Sequence, residues 1–402
     1  MYKRQTQYNL DIHDVGLVWA AGPLAGIIGQ VIIGVISDKV WFWKGRRRPF
    51  ILIGGLLAAL MLLALPNLDI ISAGLGVGGI LGVAIAVALT LDLAINVSFN
   101  PTRSIIADVT DEGDERTKGY TWMQSISGTF GVLAYAVGAI FNNYVLIYAG
   151  SVIVLLFSIV PTLFITEPRE LESEPVSDKR GEEEKTRGED SFLGMLIAIR
   201  PLWAFLAYDV YAMGRRMLGI EPANYYAEIV CGAATLLLVA LTMLEKEKPG
   251  ARQLSSFRKV IAAHSFSWVG IQTTFVFLIA YLQQELPDMA DIDLGRVGSM
   301  SFLVLNAVGA LLPALVLMPL AHRIGRIKTH VICMAFMTLG YVGLYGFGGS
   351  PMHIYVLMAV VGIGWAAIVS LPFAIVSQKV SQARMGLYMG LFNLSVVLPQ
   401  LV

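Results

Sequence analysis

Apolar runs long enough to cross a bilayer, divided by short charged connections, set the organisation of the chain. Val15–Ile36 and Pro49–Leu65 carry no formal charge, and each can cross or nearly cross a hydrocarbon core of about 30 Å as a helix. A further span is predicted from the glycine-rich Ala73–Gly82 to about Ala107, followed by spans at 118–141 and 144–165. Later ones fall at 260–282, 297–320, 331–347 and 354–378, and from Met385 to the end. Pro66, Asn67 and Asp69 predict an outside turn after the second run. Asn142–Asn143 predicts a tight turn that makes its flanking spans an antiparallel pair.

The connection between the first two runs fixes orientation. Lys39, Lys44, Arg46, Arg47 and Arg48 outweigh a single acid, Asp38, and short basic connections stay on the cytoplasmic side. From Glu167 to Asp190 the chain changes to Glu, Lys, Arg, Ser and Gly with almost nothing apolar, which reads as a solvated linker. The sequence therefore divides into an N-terminal bundle (1–166), a linker (167–191), an inserted hydrophobic segment (192–258) and a C-terminal bundle (259–402). The insert holds a clear span, Ala227–Leu244, carrying only Glu228, and a weaker one, Leu193–Met213, interrupted by Arg200, Pro201 and Asp209. A basic loop with Lys246, Lys248, Arg252, Arg258 and Lys259 follows, so inside ends flank the insert and it crosses an even number of times. Two crossings are the preferred reading, two interfacial amphipathic helices the alternative. Ala321–Lys328 repeats the first hinge in weaker form, with His322 where an aspartate is expected, and marks an internal repeat.

Composition agrees with this pattern. At 56% hydrophobic and 14% charged residues, with a mean hydropathy of +0.68, the chain is too apolar for an ordinary soluble protein. It is an all-α polytopic membrane protein, with the lipid bilayer as its surroundings. The 29 basic and 29 acidic residues cancel, and no nucleic acid partner is expected. Cys231 and Cys333 sit far apart in apolar segments and read as buried free thiols. No nucleotide loop, zinc spacing or Ser/His/Asp set is found, so neither an enzyme activity nor a cofactor or metal is expected.

The candidate chemistry lies in the few polar groups inside the spans. Asp92 stands near mid-membrane, where a carboxylate costs about 2.5 to 3.5 kcal/mol on insertion scales. Asp92, Asn96, Asn100 and Arg103 share one helix face by their spacing. Asp92 and Arg103 are offset by about 20° around the axis and about 16 Å along it, too far to pair directly. They can bracket a polar ligand, with Pro101 placed to kink the helix between them. An aspartate here can carry a proton, because burial favours its neutral form and a nearby cation its charged form. In 260–282, His264, Ser265, Ser267, Trp268, Gln272, Thr273, Thr274 and Tyr281 offer an aromatic face and hydrogen-bonding groups suited to sugar. Trp122, Gln124, Asn306 and Asn393 are weaker candidates, the two asparagines as bonds between helices.

Several of these stretches resemble one family. Gly34-x-x-x-Asp38 followed by Lys44-Gly45-Arg46-Arg47 resembles the loop between the second and third helices of the major facilitator superfamily, and Gly-Arg-Arg-Arg-Pro-Phe is similar to its sucrose and glycoside cation symporters. Leu91–Asn96 with Asn100–Asp108, Gly362–Ala366 with Ser370–Ala374, and Met389–Asn393 with Pro399–Gln400 resemble the same symporters. Arg296 falls one place early against the plant sucrose carriers, so the substrate need not be sucrose. The resemblance implies two pseudo-symmetric helical bundles working by alternating access, and proton-coupled symport of a sugar or glycoside by a monomer in the cell membrane. By this resemblance Asp92 and Arg103 would be the proton-coupling and sugar-site pair, and Asn96, Asn100, Trp268, Gln272 and Trp365 are the further candidate substrate contacts. Gly34, Asp38, Gly45, Arg46, Arg47, Arg48 and Asp108 would form a cytoplasmic gate, and Gly362, Gly364 and Pro372 a bending helix. Against the family pattern, the chain is expected to lack the first and last helices. The alternatives are a proton-coupled exporter of amphipathic molecules and a non-transporting membrane receptor of the same fold.

Overall fold

The computed structural model describes residues 29–74, 76, 80–140, 143–169, 192–217, 220, 224–245 and 252–401. The first half of the 15–36 span, Asn142, nearly all of the linker, and Lys246 and Lys248 lie outside the described residues. The described chain is helical: α1 (29–39), α2 (Arg48–Ala64), α3 (Leu68–Gly74), α4 (Ile80–Val109), α5 (Asp114–Ile140), α6 (Asn143–Phe164), α7 (Phe192–Ala198), α8 (Trp203–Met217) and α9 (Tyr226–Met243). The series continues with α10 (Arg252–Glu285), α11 (Asp291–Leu312), α12 (Met318–Ile324), α13 (Arg326–Phe347), α14 (Pro351–Ile368), α15 (Leu371–Val376) and α16 (Met385–Leu401). Among the described residues, eight helical stretches are long and apolar enough to cross a membrane. Their outward faces are apolar, as on α9 with Ile229, Val230, Leu236 and Leu237, which suits contact with lipid tails.

Three boundaries differ from the sequence expectation. Pro66 does not end its span: a 3-10 turn, Leu65–Asn67, carries the helix on into α3, because proline's fixed φ is helical and its missing N–H is tolerated at the start of a new turn. The chain turns later, at Gly76 (φ +64°). The basic stretch from Arg252 to Lys259 is the first part of α10, where Arg258 pairs with Glu245 at 2.9 Å. In the insert the expected second span is α9, whereas the first is divided by a 3-10 turn, Arg200–Leu202, into α7 and α8.

The helices group into two compact units: Met1–Val109 with Ile140–Leu238 and Val380–Val402, and Thr110–Ala139 with Val239–Lys379. This grouping departs from the division of the sequence at 166/167 and 258/259, because α5 joins the second unit and α16 the first. In the first unit α2 packs against α4 and α6. A Cβ at Gly54 would stand 2.7 Å from the Ala94 carbonyl oxygen and 2.9 Å from Ser98 Cβ, so glycine is what lets α2 and α4 meet. In the second unit Ile271, Leu305, Met337, Ile354, Met358 and Val361 form a fully or nearly fully buried core across α10, α11, α13 and α14.

Gly54→Ala is expected to lower the thermal unfolding midpoint in detergent, at a cost of about 1–3 kcal/mol for overpacking. Gly82→Ala, where an added Cβ meets nothing within 4 Å, should leave the midpoint unchanged or slightly raised. Equal midpoints for the two variants would contradict the packing described for α2.

Candidate functional site

Between α1 and α2 the chain reverses through Trp43 (φ 49°) and Lys44 (φ 61°), closed by paired bonds of 3.1 Å between Phe42 and Gly45. The reversal buries Arg47 completely. Its guanidinium donates to Asp38 Oδ1 (2.6 Å), Asp108 Oδ2 (2.9 Å) and Ser37 Oγ (2.5 Å), and Arg46 reaches the same Asp108 oxygen at 3.0 Å. Asp38 in turn accepts the backbone N–H groups of Gly386 (2.9 Å) and Leu387 (2.8 Å) at the start of α16, where a negative charge complements the helix dipole. A Cβ at Gly34 would fall 2.2 Å from the Gly386 carbonyl oxygen, so α1 and α16 touch backbone to backbone.

One member of this cluster is invisible in the sequence pattern. Glu167, 7% exposed, accepts the backbone N–H groups of Arg46, Arg47 and Arg48 at 2.8, 2.8 and 2.7 Å, capping α2 from the end of α6. Its only signal is that it is the first acid after an apolar run, and the charge-rich linker beginning there hides it. A Cβ at Gly45 would come within 2.5 Å of its Oε1.

The second unit repeats this arrangement around Gly325 (φ +90°), which separates α12 from α13. Arg326 bonds Thr117 Oγ1 and Gln378 Oε1 (2.6 Å), with Asp114 3.9 Å away. His322, in the place of the missing aspartate, pairs with Asp114 at 2.9 Å on the surface. Arg116 is buried and donates to the carbonyl oxygens of Ser377 (3.1 Å) and Thr110 (3.0 Å). At this second hinge the acid comes from α5 instead of the loop itself.

The polar row of α4, which runs unbroken through Pro101, separates into two kinds of residue. Asn100 is used by the fold: its Nδ2 donates to Gln30 O (2.6 Å) and Gly386 O (3.0 Å), and its Oδ1 accepts from Ser104 (3.1 Å). Asn96 donates to its own helix at Asp92 O (2.7 Å) and accepts from Gln30 Nε2 (2.5 Å), a partner the sequence reading did not find. Arg103 stacks on Phe99 with its Cζ 4.2 Å from the ring centroid and lies 3.4 Å from Asn393 Oδ1. It does not pair with Asp92, as helix geometry requires. Asp92 is half-buried, and among the described residues no ion pair holds its carboxylate.

In the second unit the hydroxyls of α10 are largely consumed. Ser265, Ser267 and Thr273 bond carbonyl oxygens of their own helix, Thr274 bonds Tyr341 and Tyr281 bonds Leu344 O. Asn306 likewise turns back on Phe302 O (2.8 Å), so it is not the interhelical bond expected; Asn393 is. Cys333 is buried and free, and Cys231 only half-buried. Trp122 is exposed. Gln272 is half-buried. Trp268 and Trp365 meet edge to face with centroids 5.6 Å apart, and Phe275 meets Trp365 at 5.5 Å. His264 Nε2 accepts the Trp268 indole N–H at 3.1 Å. Gly309 makes room for Trp365, since a Cβ there would stand 2.6 Å from its Cδ1. Gly362 and Gly364 serve close packing, against Val308 and Met337. The helix break comes at Val369–Ser370, just before Pro372.

Comparison with known proteins adds the family. The chain is 31% identical over 170 residues to the general alpha-glucoside permease of Schizosaccharomyces pombe, a match covering 38% of this chain and 31% of that protein. It is 23% identical over 450 residues to sucrose transport protein SUC4 of Arabidopsis thaliana, covering 96% and 75% of the two chains. Among solved structures, the proton:xylose symporter XylE superposes with a TM-score of 0.56 at 14% identity, covering 96% of this chain and 77% of that one. The family model described as Major Facilitator Superfamily matches residues 3–402, and the chain is therefore a membrane transporter belonging to the major facilitator superfamily.

Proposed function

We propose that the chain carries a sugar or glycoside across the membrane together with a proton, by alternating access. The observation that carries this reading is Asp92: a half-buried carboxylate inside a candidate span, without an ion pair among the described residues, beside amides that the fold already holds in place. Such a group is free to gain and lose a proton as its surroundings change. Asn96 and Arg103 present polar edges to sugar hydroxyls from the same face. Trp268, Trp365 and Gln272 supply aromatic faces and an amide of the kind that lines small-molecule sites. Asn100, whose amide is fully engaged, positions α1 and α16 against α4. The substrates named for the relatives, α-glucosides and sucrose, favour a glucose-containing glycoside.

The hinge acts as the gate of this cycle. Arg47 holds Asp38 and Asp108 together, and Asp38 holds the start of α16, so the cluster must open when α16 moves. Charge-assisted bonds of this kind are the stronger class, which makes their breaking a controllable step.

Uptake of labelled α- and β-glucosides into proteoliposomes of the protein tests the reading. An inward proton gradient should drive accumulation, and Asp92→Asn should abolish that accumulation while leaving sugar exchange across the membrane intact. Gradient-independent accumulation by the unmodified protein would contradict it. Trp365→Ala should raise the half-saturating sugar concentration about 5-fold, for ~1 kcal/mol of lost aromatic contact. Asp38→Asn should slow turnover about tenfold, ~1.4 kcal/mol on the opening and closing step, with little change in sugar affinity; a large affinity loss would place the hinge in the binding site.

A further inference from the structure

The inserted segment contains a buried acid that neither the gate nor the transport site uses. One face of α8 is buried through Ala204, Phe205, Asp209 and Ala212. The helix packs on α9, where Cys231 Sγ lies 3.4 Å from Ala204 O and Tyr208 donates to Glu228 Oε1 at 3.0 Å, and on α16. Asp209 is only 6% exposed, and neither carboxyl oxygen has a hydrogen-bond partner among the described residues.

The charged and titratable groups around α8 do not relieve it. Its own helix carries Tyr208, which is committed to Glu228, and Arg215, which stacks over Tyr211 at 5.6 Å. The neighbours carry Glu228 and Cys231 on α9, Arg200 in the preceding 3-10 turn, and Arg384 with Tyr388 at the start of α16, stacked at 5.5 Å. None of them bonds the Asp209 carboxyl. An anion at such a position has no counter-ion and no donor among the described residues, a cost of several kcal/mol that a group avoids by taking up a proton. A metal cation would need several oxygen ligands, and among the described residues no group of three or more His, Cys, Asp or Glu gathers to hold one.

We propose that Asp209 is a proton-binding site separate from Asp92, neutral while α8 is packed and charged only when that packing loosens. Burial pushes its carboxyl up to about 7, and α8 lies outside the eight candidate spans. A carboxyl raised in the folded state favours the neutral form, so its contribution to packing around α8 is fully present below the unfolded value near 4 and is lost as the pH rises to and through the folded value of about 7. The inference does not depend on the sugar reading, because proton binding at Asp209 can be measured without transport.

Dicyclohexylcarbodiimide, an apolar reagent that adds to protonated carboxyl groups, supplies the test on the full chain in detergent micelles, read by mass spectrometry of the Asp209 peptide. The expected result is an adduct at Asp209 at about pH 6, with a yield falling about tenfold for each pH unit above neutrality. Replacing choline by sodium at constant ionic strength should not protect it. Asp209→Asn should remove the adduct and flatten the loss of thermal stability between about pH 4 and pH 7. No adduct at Asp209 at about pH 6, a yield indifferent to pH, or protection by sodium would each overturn the assignment, and labelling of the unmodified chain decides it even if the variant does not fold.

Discussion

A guanidinium buried without any exposure governs the first unit. Arg47 cannot shed its charge, and an ion taken out of water costs several kcal/mol unless every donor is met. Ser37 and Asp38 at the end of α1 and Asp108 at the end of α4 meet those donors, so the two helices must stay in register. Asp38 extends the constraint to the start of α16 through two amides. Glu167 extends it to the end of α6, because the turn that delivers Arg47 also leaves three backbone N–H groups that need an acceptor. One obligatory charge thus ties α1, α2, α4, α6 and α16 at one end.

Elsewhere the spans follow the opposite rule, that polar groups in apolar helices are consumed locally. Serine and threonine hydroxyls turn back on carbonyl oxygens four residues earlier, as at Thr90, Thr129, Ser151 and Ser301. Amides bridge helices, as at Asn96, Asn100 and Asn393. Against that background a carboxyl left without an ion pair among the described residues, as Asp92 is within its span and Asp209 is on α8, is conspicuous. Groups in transporters that exchange protons belong to this class.

Much of this was legible in the sequence, for definite reasons. The apolar runs located the helices, since a charge-free stretch of that length has few other uses. The 3.6-residue period placed Asp92, Asn96, Asn100 and Arg103 on one face, and the axial distance correctly kept Asp92 and Arg103 apart. The basic hinge and its weaker repeat at His322–Lys328 were visible as charge patterns. What remained hidden depended on distant partners. Glu167 bonds residues about 120 positions earlier, Gln30 sits in an apolar run with nothing to mark it, and the asparagines look alike in sequence although Asn100 is saturated and Asn306 serves only its own helix. Pro66 was misleading because proline ends a helix only where its ring meets the preceding turn. The grouping of α5 with the second unit and α16 with the first likewise has no signal in the order of the sequence.

The central claim is that sugar and proton move together, and the most direct measurement follows the proton itself. De-energised proteoliposomes of the protein, in weakly buffered medium with an external pH indicator, receive a glucoside and no imposed gradient. The account predicts that the medium turns alkaline as sugar enters, with a proton flux proportional to sugar flux. Sugar entry with no change in external pH would contradict it.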